Sequence, residues 1–282
     1  MRQFFIRDGA GKQYGLNGEA LVWLLNPTGL GVSFANKYSD IKQGFFAPLN
    51  ADEWQTQSIV CDFGIIEPAY QTFRSFIDWM VTAEELVIVY QPFGSEKFYR
   101  KVKLDYLEKT ELFNGIWLRC PAGFTCLTPW YKPTTLTVEI ADESAGAMEY
   151  TFTYDSDLVY SSDYNGAYGV ELTPSGHLPA AITLEYTGAI TNPVIVLEGK
   201  SSGKEYGRCA VNKAVSSSLS FSSLYADSYC KVDGEDASDY ISPAYDPFFH
   251  LPLSEPCVLK ILSSAAFSGT AEASIYYYYR SV

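Results

Sequence analysis

Along most of this chain apolar and polar residues alternate in short runs, the period of strands that bury one face. One stretch departs from that period. From Ala69 to Val81 the apolar residues Tyr70, Phe73, Phe76, Ile77, Met80 and Val81 recur at steps of three and four, which predicts an amphipathic helix with that stripe laid against a sheet. Pro68 stands at its start, where a missing N–H costs nothing. Glu67 just before it favours the positive end of the helix dipole.

Around the helix the pattern reads as hairpins. Met1 to Ile6 and Gln13 to Leu16 flank the turn Asp8-Gly9-Ala10-Gly11. After a second turn at Asn26-Pro27-Thr28-Gly29-Leu30-Gly31, strands are expected at Val32 to Tyr38 and Gln57 to Gly64. Beyond the helix, Leu86 to Tyr90 and Lys97 to Tyr106 pair around Pro92-Phe93-Gly94-Ser95-Glu96. Leu112 to Cys120 and Gly123 to Leu127 are read as two further strands, and Thr128-Pro129-Trp130-Tyr131 closes this part of the chain.

Past Pro133 no second amphipathic helix occurs. Short strand-like runs, divided by Gly, Asn, Asp, Ser and Pro, predict a β-sandwich. The runs are Leu136 to Ile140, Ala181 to Tyr186, Val194 to Glu198, Tyr206 to Val211, Leu219 to Ser222, Cys257 to Leu262 and Thr270 to Tyr279. In the last, Ala271, Ala273, Ile275, Tyr277 and Tyr279 take one face and Glu272, Ser274, Tyr276 and Tyr278 the other. The fold class is therefore mainly β: an α+β domain over residues 1–133 and a β-sandwich over residues 134–282.

Composition sharpens this division. Residues 1–133 hold 13 Lys and Arg against 14 Asp and Glu, whereas residues 134–282 hold 7 against 19, so nearly all of the net charge of −13 lies in the second half. All five Trp (Trp23, Trp54, Trp79, Trp117, Trp130) fall in the first half, and both His (His177, His250) in the second. Such acidity disfavours phosphate backbones and anionic membranes as partners. The opening apolar run is too short for a signal peptide and no stretch reaches the length of a membrane span, so folding inside the cell without export is expected. The cysteines Cys61, Cys120, Cys126, Cys209, Cys230 and Cys257 sit mostly among strand-forming neighbours and read as reduced core thiols. Cys120 and Cys126 flank a presumed turn and could meet across a hairpin; no CxxC pair points to zinc.

Several motifs carry candidate chemistry. Gly199-Lys200-Ser201-Ser202-Gly203 matches the G-x-S-x-G nucleophile elbow, and Asp227 or Asp246 followed by His250 supplies the Ser, Asp, His order. An elbow needs a strand turning into a helix. Here Tyr206 to Val211 reads as a strand, so a hairpin turn explains the match better and no catalytic residue is expected. Asp233-Gly234-Glu235-Asp236-Ala237-Ser238-Asp239 lacks the residue order of a calcium loop and reads as a solvated acidic loop. Gly11-Lys12 fails the phosphate-loop spacing, and no cofactor or metal is expected. Tyr164, Tyr168, Tyr225, Tyr229 and Tyr245 are candidates for stacking against sugars, set against core or interface roles for the same residues.

Taken in order, these elements resemble the distal tail proteins of siphophages. The resemblance rests on the early hairpin, the helix Tyr70-Gln71-Thr72-Phe73-Arg74-Ser75-Phe76-Ile77-Asp78-Trp79, the following hairpin and Pro129-Trp130-Tyr131. In the second half it rests on Leu184-Glu185-Tyr186-Thr187-Gly188, Asn192-Pro193-Val194-Ile195-Val196-Leu197, Gly203 to Gly207 and the terminal strand Ala271 to Tyr279. It implies a tail-tube-like first domain that assembles into a homo-hexameric ring and a galectin-like or carbohydrate-module-like second domain on the periphery. The implied partners are the major tail protein, the tape-measure protein, the tail-tip protein and a receptor-binding protein. The implied location is the virion tail tip, after folding in the bacterial host cytoplasm. Some relatives insert a long arm into the second domain; no segment here stands out as one. The competing reading is a β-sandwich that binds cell-surface carbohydrate.

Overall fold

A computed structural model of the chain describes residues 2–17, 21–31, 38–42, 45–48, 57–66, 68–92, 94–113, 117–138, 166–244, 246–263, 265 and 267–282. The described residues fall into two compact units: residues 1–132 together with Tyr279–Val282, and Pro133–Tyr278. The break lies one residue before the one expected at Pro133, and the last four residues join the first unit. There the Tyr279 ring packs edge-on against Phe98 at 5.2 Å.

The first unit is built on an antiparallel sheet. Its strands are β1 (Gln3–Asp8), β2 (Gln13–Gly15), β3 (Val22–Thr28), β4 (Ser58–Ile66), β5 (Leu86–Gln91), β6 (Phe98–Leu107), β7 (Trp117–Cys126) and the start of β8 (Trp130–Val138). Neighbouring pairs give the order β2-β1-β5-β6-β7-β4-β3, and Tyr131 of β8 pairs with Tyr99 of β6. Leu24 N–H of β3 donates to Leu16 C=O, just past β2, at 2.9 Å. The two ends of the sheet are thereby drawn towards each other. The turn of the first hairpin works as its chemistry predicts: Gly11 takes φ +90 and donates its N–H to Asp8 C=O. Of the strand expected at Val32 to Tyr38, residues 32–37 lie outside the described residues, as does Glu67; Tyr38–Lys42 pairs with Phe45–Pro48 in a small hairpin.

The helix α1 (Ala69–Thr82) forms where the spacing places it. Pro68 occupies the N-cap, and its carbonyl accepts the N–H of Thr72 at 2.9 Å. The buried stripe, however, is Ala69, Phe73, Phe76, Trp79 and Met80. Tyr70 and Val81, expected within it, are 42% and 69% exposed. The stripe is turned towards Trp79 because that indole finds an acceptor: its Nε1–H donates to the Asp8 carboxylate at 2.7 Å. Its ring also packs on Tyr14 at 4.5 Å. Phe76 meets Phe63 edge-on at 5.2 Å and Tyr14 at 5.5 Å, and Phe63 meets Phe124 at 6.1 Å.

Two expectations in this unit are corrected. β7 runs unbroken through Pro121, so the strands expected on either side of it are one, with Leu112–Phe113 a separate short piece beside it. Cys120 and Cys126 therefore lie on the same inward face of one strand and cannot meet across a hairpin. Proline is accommodated because its carbonyl, which it retains, takes the Glu108 N–H at 2.9 Å. The irregularity the strand does carry is a register shift against β6 between Gly123 and Phe124.

The second unit holds two antiparallel sheets. One runs β14 (Asp227–Val232), β13 (Ser218–Leu224), β10 (Leu178–Thr191), β16 (Ser268–Tyr279), and the other β9 (Gly166–Leu172), β15 (Cys257–Ser263), β11 (Val194–Gly199), β12 (Glu205–Ala210). Ile182, Leu184, Phe221 and Ile275 of the first sheet and Ile195, Leu197, Leu259 and Ile261 of the second have no exposure. Phe249 links the layers. Its ring stacks on Phe221 at 5.2 Å, and a Cβ at Gly207 would fall 2.1 Å from its own Cβ, so only glycine fits there. Tyr186 is buried with its hydroxyl donating to Ala189 C=O (3.1 Å) and Ser268 C=O (2.9 Å); Gly188, at φ +146, shapes the bend that brings these carbonyls together. All six cysteines are buried and none forms a disulfide.

Because Phe76 is 1% exposed and sits at the centre of the aromatic cluster, Phe76→Ala is expected to cost about 3–5 kcal/mol. Val81→Ala should stay within about 0.5 kcal/mol. Urea unfolding midpoints of the two variants check both; equal midpoints would mean the helix does not bury this face.

Candidate functional site

The serine motif lies in the second unit on the hairpin between β11 and β12, and a strand, not a helix, follows it. Gly203 at φ +63 closes the turn. Its organising group is Glu255, which sequence reading passes over. The Glu255 carboxylate accepts the Ser202 hydroxyl at 2.5 Å and the Tyr206 hydroxyl at 2.7 Å. It also accepts the backbone N–H groups of Ser201 and Ser202 at 3.3 and 3.1 Å. These donors, led by the Ser202 hydroxyl, hold the Glu255 carboxyl down to about 2, while Glu255 in turn pushes the Tyr206 phenol up. Ser201 is exposed and engages Glu255 through its backbone amide.

His250 is held by other partners. Its ring stacks on Tyr225 at 4.2 Å with 18° between planes, and burial pushes its pKa down. The Asp246 carboxylate accepts the N–H of Phe248 within its own turn, and Asp227 opens β14, its carbonyl taking the Ser222 hydroxyl at 2.7 Å. The Ser, Asp, His order in the sequence is thus not assembled into a hydrogen-bonded triad among the described residues.

The acidic segment from Asp233 to Asp239 uses its carboxylates to fix backbone. Asp233, at φ +54, receives the N–H groups of Ser216, Ser217 and Ser218 and the Ser217 hydroxyl, which hold its carboxyl far below the usual range. Asp236 receives the Ser238 hydroxyl at 2.7 Å. Among the described residues no three His, Cys, Asp or Glu side chains gather as a metal cage.

The five candidate sugar-stacking tyrosines do not come together in what the structure describes. Tyr164 and Tyr245 lie outside the described residues. Tyr168 is placed by its backbone on β9, opposite Ile261, in the second sheet. Tyr225 and Tyr229 belong to the hairpin of β13 and β14 in the first sheet; Tyr225 is 65% exposed, and Tyr229 lies under Lys231 Nζ at 4.6 Å.

In the first unit the outstanding polar feature is a buried cation. Arg100 of β6 is 3% exposed; its Nε donates to Thr128 C=O at 2.9 Å and its Nη2 to the buried Gln57 side chain at 2.5 Å. Its guanidinium lies 5.4 Å from the centre of the Trp130 ring. Trp130 is itself fully buried and donates to Leu30 C=O at 3.1 Å. This group fixes the Thr128-Pro129-Trp130 junction.

Residues 3–127 match the N-terminal domain of distal tail proteins. The first unit therefore carries the N-terminal domain of the distal tail protein family. Among solved structures, a chain of the phage P2 baseplate in its activated conformation with Ca shares 15% identity over the full length of both chains, with a TM-score of 0.67. The SPP1 Dit protein (gp 19.1) shares 10% identity over 97% of this chain and 98% of that one, with a TM-score of 0.57. At these identities the likeness is one of fold. No curated protein sequence matches the chain.

Glu255 and Arg100 are the organising residues that sequence reading missed. Neither belongs to a local motif. Glu255 lies 53 residues from Ser202, and Arg100 sits in a strand beside Lys101, Lys103 and Asp105, where burial of a guanidinium has no local sign.

Glu255→Gln removes one of the two oxygen acceptors, so amide exchange at Ser201 and Ser202 should accelerate and the Tyr206 phenol should titrate closer to 10, its unperturbed value. Because the folded carboxyl is depressed from 4.5 to about 2, its stabilisation of the turn is complete above the unfolded value and lost as pH falls through the folded one. Protection of the two amides, followed by NMR in the wild-type protein, should persist from neutral pH down through 4.5 and vanish only on approach to about 2.

Proposed function

We propose that this distal tail protein forms a hexameric ring at the end of a long non-contractile phage tail and joins the tail tube to the adsorption apparatus. The observation that carries the reading is that the distal tail domain coincides with the nearly neutral half of the chain. Residues 3–127 carry the family match, and the net charge up to Pro133 is −1. Copies of that half can pack around an axis with little mutual repulsion, whereas the acidic half is better placed outwards in solvent. In the second unit Lys200, Arg208 and Lys260 are already paired with Glu171, Glu205 and Glu198, which leaves its surplus acidity unneutralised. The ring would stack on the major tail protein, enclose the end of the tape-measure protein and seat the tail-tip protein, with galectin-like sandwiches at the periphery beside receptor-binding proteins. Light scattering of the purified chain together with negative-stain electron microscopy tests this: six-fold rings are expected, and a strictly monomeric chain at tail-assembly concentrations would sink it.

The role is structural and without catalysis. Support comes from the serine turn, whose carboxylate partner Glu255 is occupied by four donors and whose following strand offers no elbow. A fluorophosphonate probe should leave the native protein unlabelled, and Ser201→Ala should alter stability by no more than about 0.5 kcal/mol. Labelling that disappears in Ser201→Ala and weakens in His250→Ala would revive a hydrolase.

A second reading, carbohydrate binding by the second unit, is favoured by one feature. The exposed Tyr225 ring is held flat by His250 beneath it, which leaves a face for stacking on a sugar. Loss of glycan-array signal on Tyr225→Ala would support it; a silent array for the wild-type ring would remove it.

A further inference from the structure

Arg100, on the inward face of β6, has more donors than its surroundings use. A guanidinium carries five N–H groups and no acceptor, and it keeps its proton throughout the range in which proteins fold. Nε–H is answered by Thr128 C=O at 2.9 Å and one Nη2–H by Gln57 Oε1 at 2.5 Å. Nη1 is closed off from solvent, and its N–H groups meet no acceptor among the described residues. The charge is unmatched as well. In the first unit Lys101, Arg119 and Lys132 take Glu85, Asp62 and Glu96, and no carboxylate among the described residues comes within ion-pairing distance of Arg100. Its two acceptors are neutral, and the Trp130 face, 5.4 Å away, offers only the field of its ring. A full positive charge is thus enclosed: Arg100 and Gln57 are 3% and 7% exposed and Trp130 not at all. Buried charges are ordinarily paired, because an unpaired one forfeits its hydration without return. A buried lysine can escape by releasing its proton; arginine cannot.

We propose that Arg100 Nη1 holds a small monovalent anion, chloride in ordinary saline, as the counter-ion of this buried guanidinium. The donor selects the class of ligand. The N–H groups of Nη1 belong to a cation, so an anion answers them more strongly than a neutral water oxygen does. The enclosure selects the size. With Arg100, Gln57 and Trp130 all buried, a bare halide is accommodated far more readily than a polyatomic anion, which would bring several oxygens that each need a donor. The bound ion acts on structure. Thr128 just before β8 and Gln57 just before β4 converge on this guanidinium, so the ion neutralises the group that ties the exit of the first unit to its sheet.

The test compares thermal unfolding of the full chain in sodium chloride and in sodium gluconate at equal ionic strength, gluconate being too bulky for the enclosure. Chloride should raise the midpoint saturably, by roughly 3–8 °C at about ten to thirty times its dissociation constant. Gln57→Glu sets a carboxylate where Oε1 now meets Nη2 and so supplies the counter-charge from within. Its midpoint should no longer respond to the exchange of gluconate for chloride. Crystals of the unaltered chain grown in sodium bromide give a readout that no substitution disturbs, and they decide the matter should Gln57→Glu not fold: an anomalous bromide peak is expected beside Arg100 Nη1. Equal wild-type midpoints in the two salts, a chloride response that survives in Gln57→Glu, or bromide crystals with no peak at Nη1 would each overturn the proposal. None of these readouts depends on ring formation, which keeps their failure distinct from failure of the hub reading.

Discussion

The first unit depends on one packing constraint, the lodging of its single helix against the sheet by an aromatic cluster. Phe76 stands at the centre, in contact with Phe63 of β4, Tyr14 of β2 and Trp79 one turn on. Those rings belong to elements far apart in the sheet order, so the helix closes over the core only when β2 and β4 have been brought together. The Asp8 carboxylate at the end of β1 completes this by accepting the Trp79 indole N–H, which keeps a buried polar group satisfied where an apolar stripe alone would leave it orphaned. Arg100 plays the matching part at the exit of the domain, tying Thr128 and Gln57 to the Trp130 ring.

The second unit spends part of its acidity on its own backbone. Asp233 gathers three consecutive serine amides and Glu255 gathers two amides and two hydroxyls. Both act as anionic acceptors for N–H groups that no strand ladder reaches, and charge-assisted bonds of this kind are stronger than neutral ones. Motifs that look like chemistry in the sequence, a serine elbow and an acidic loop, are in the structure the places where carboxylates set turn geometry. Loops fixed in this way are presented in one form.

Much of the architecture was legible beforehand, because it rests on short-range signals. Helix α1, the first hairpin at Gly11 and the strands β5, β11 and β15 follow from periodicity and turn chemistry within a few residues. Errors arose where a local sign was overruled by distant pairing. Pro121 reads as a break, yet the strand continues because Pro121 keeps its carbonyl for Glu108 and its neighbours pair with β4. Tyr70 and Val81 fit the helical spacing but sit on the flank, because Trp79 found an acceptor on the other side.

What the sequence by itself determined is the division into an aromatic, nearly neutral α+β half and an acidic β half, together with the order of elements that marks the distal tail family. Periodicity, turn residues and charge are properties of neighbouring positions, and they survive without knowledge of the fold. Only the tertiary structure decided which groups meet: Trp130 with Leu30 across 100 positions and Glu255 with Ser202 across 53. Such partners are chosen by strand order and by which face each residue presents, and a residue's own neighbours along the chain contain no record of either.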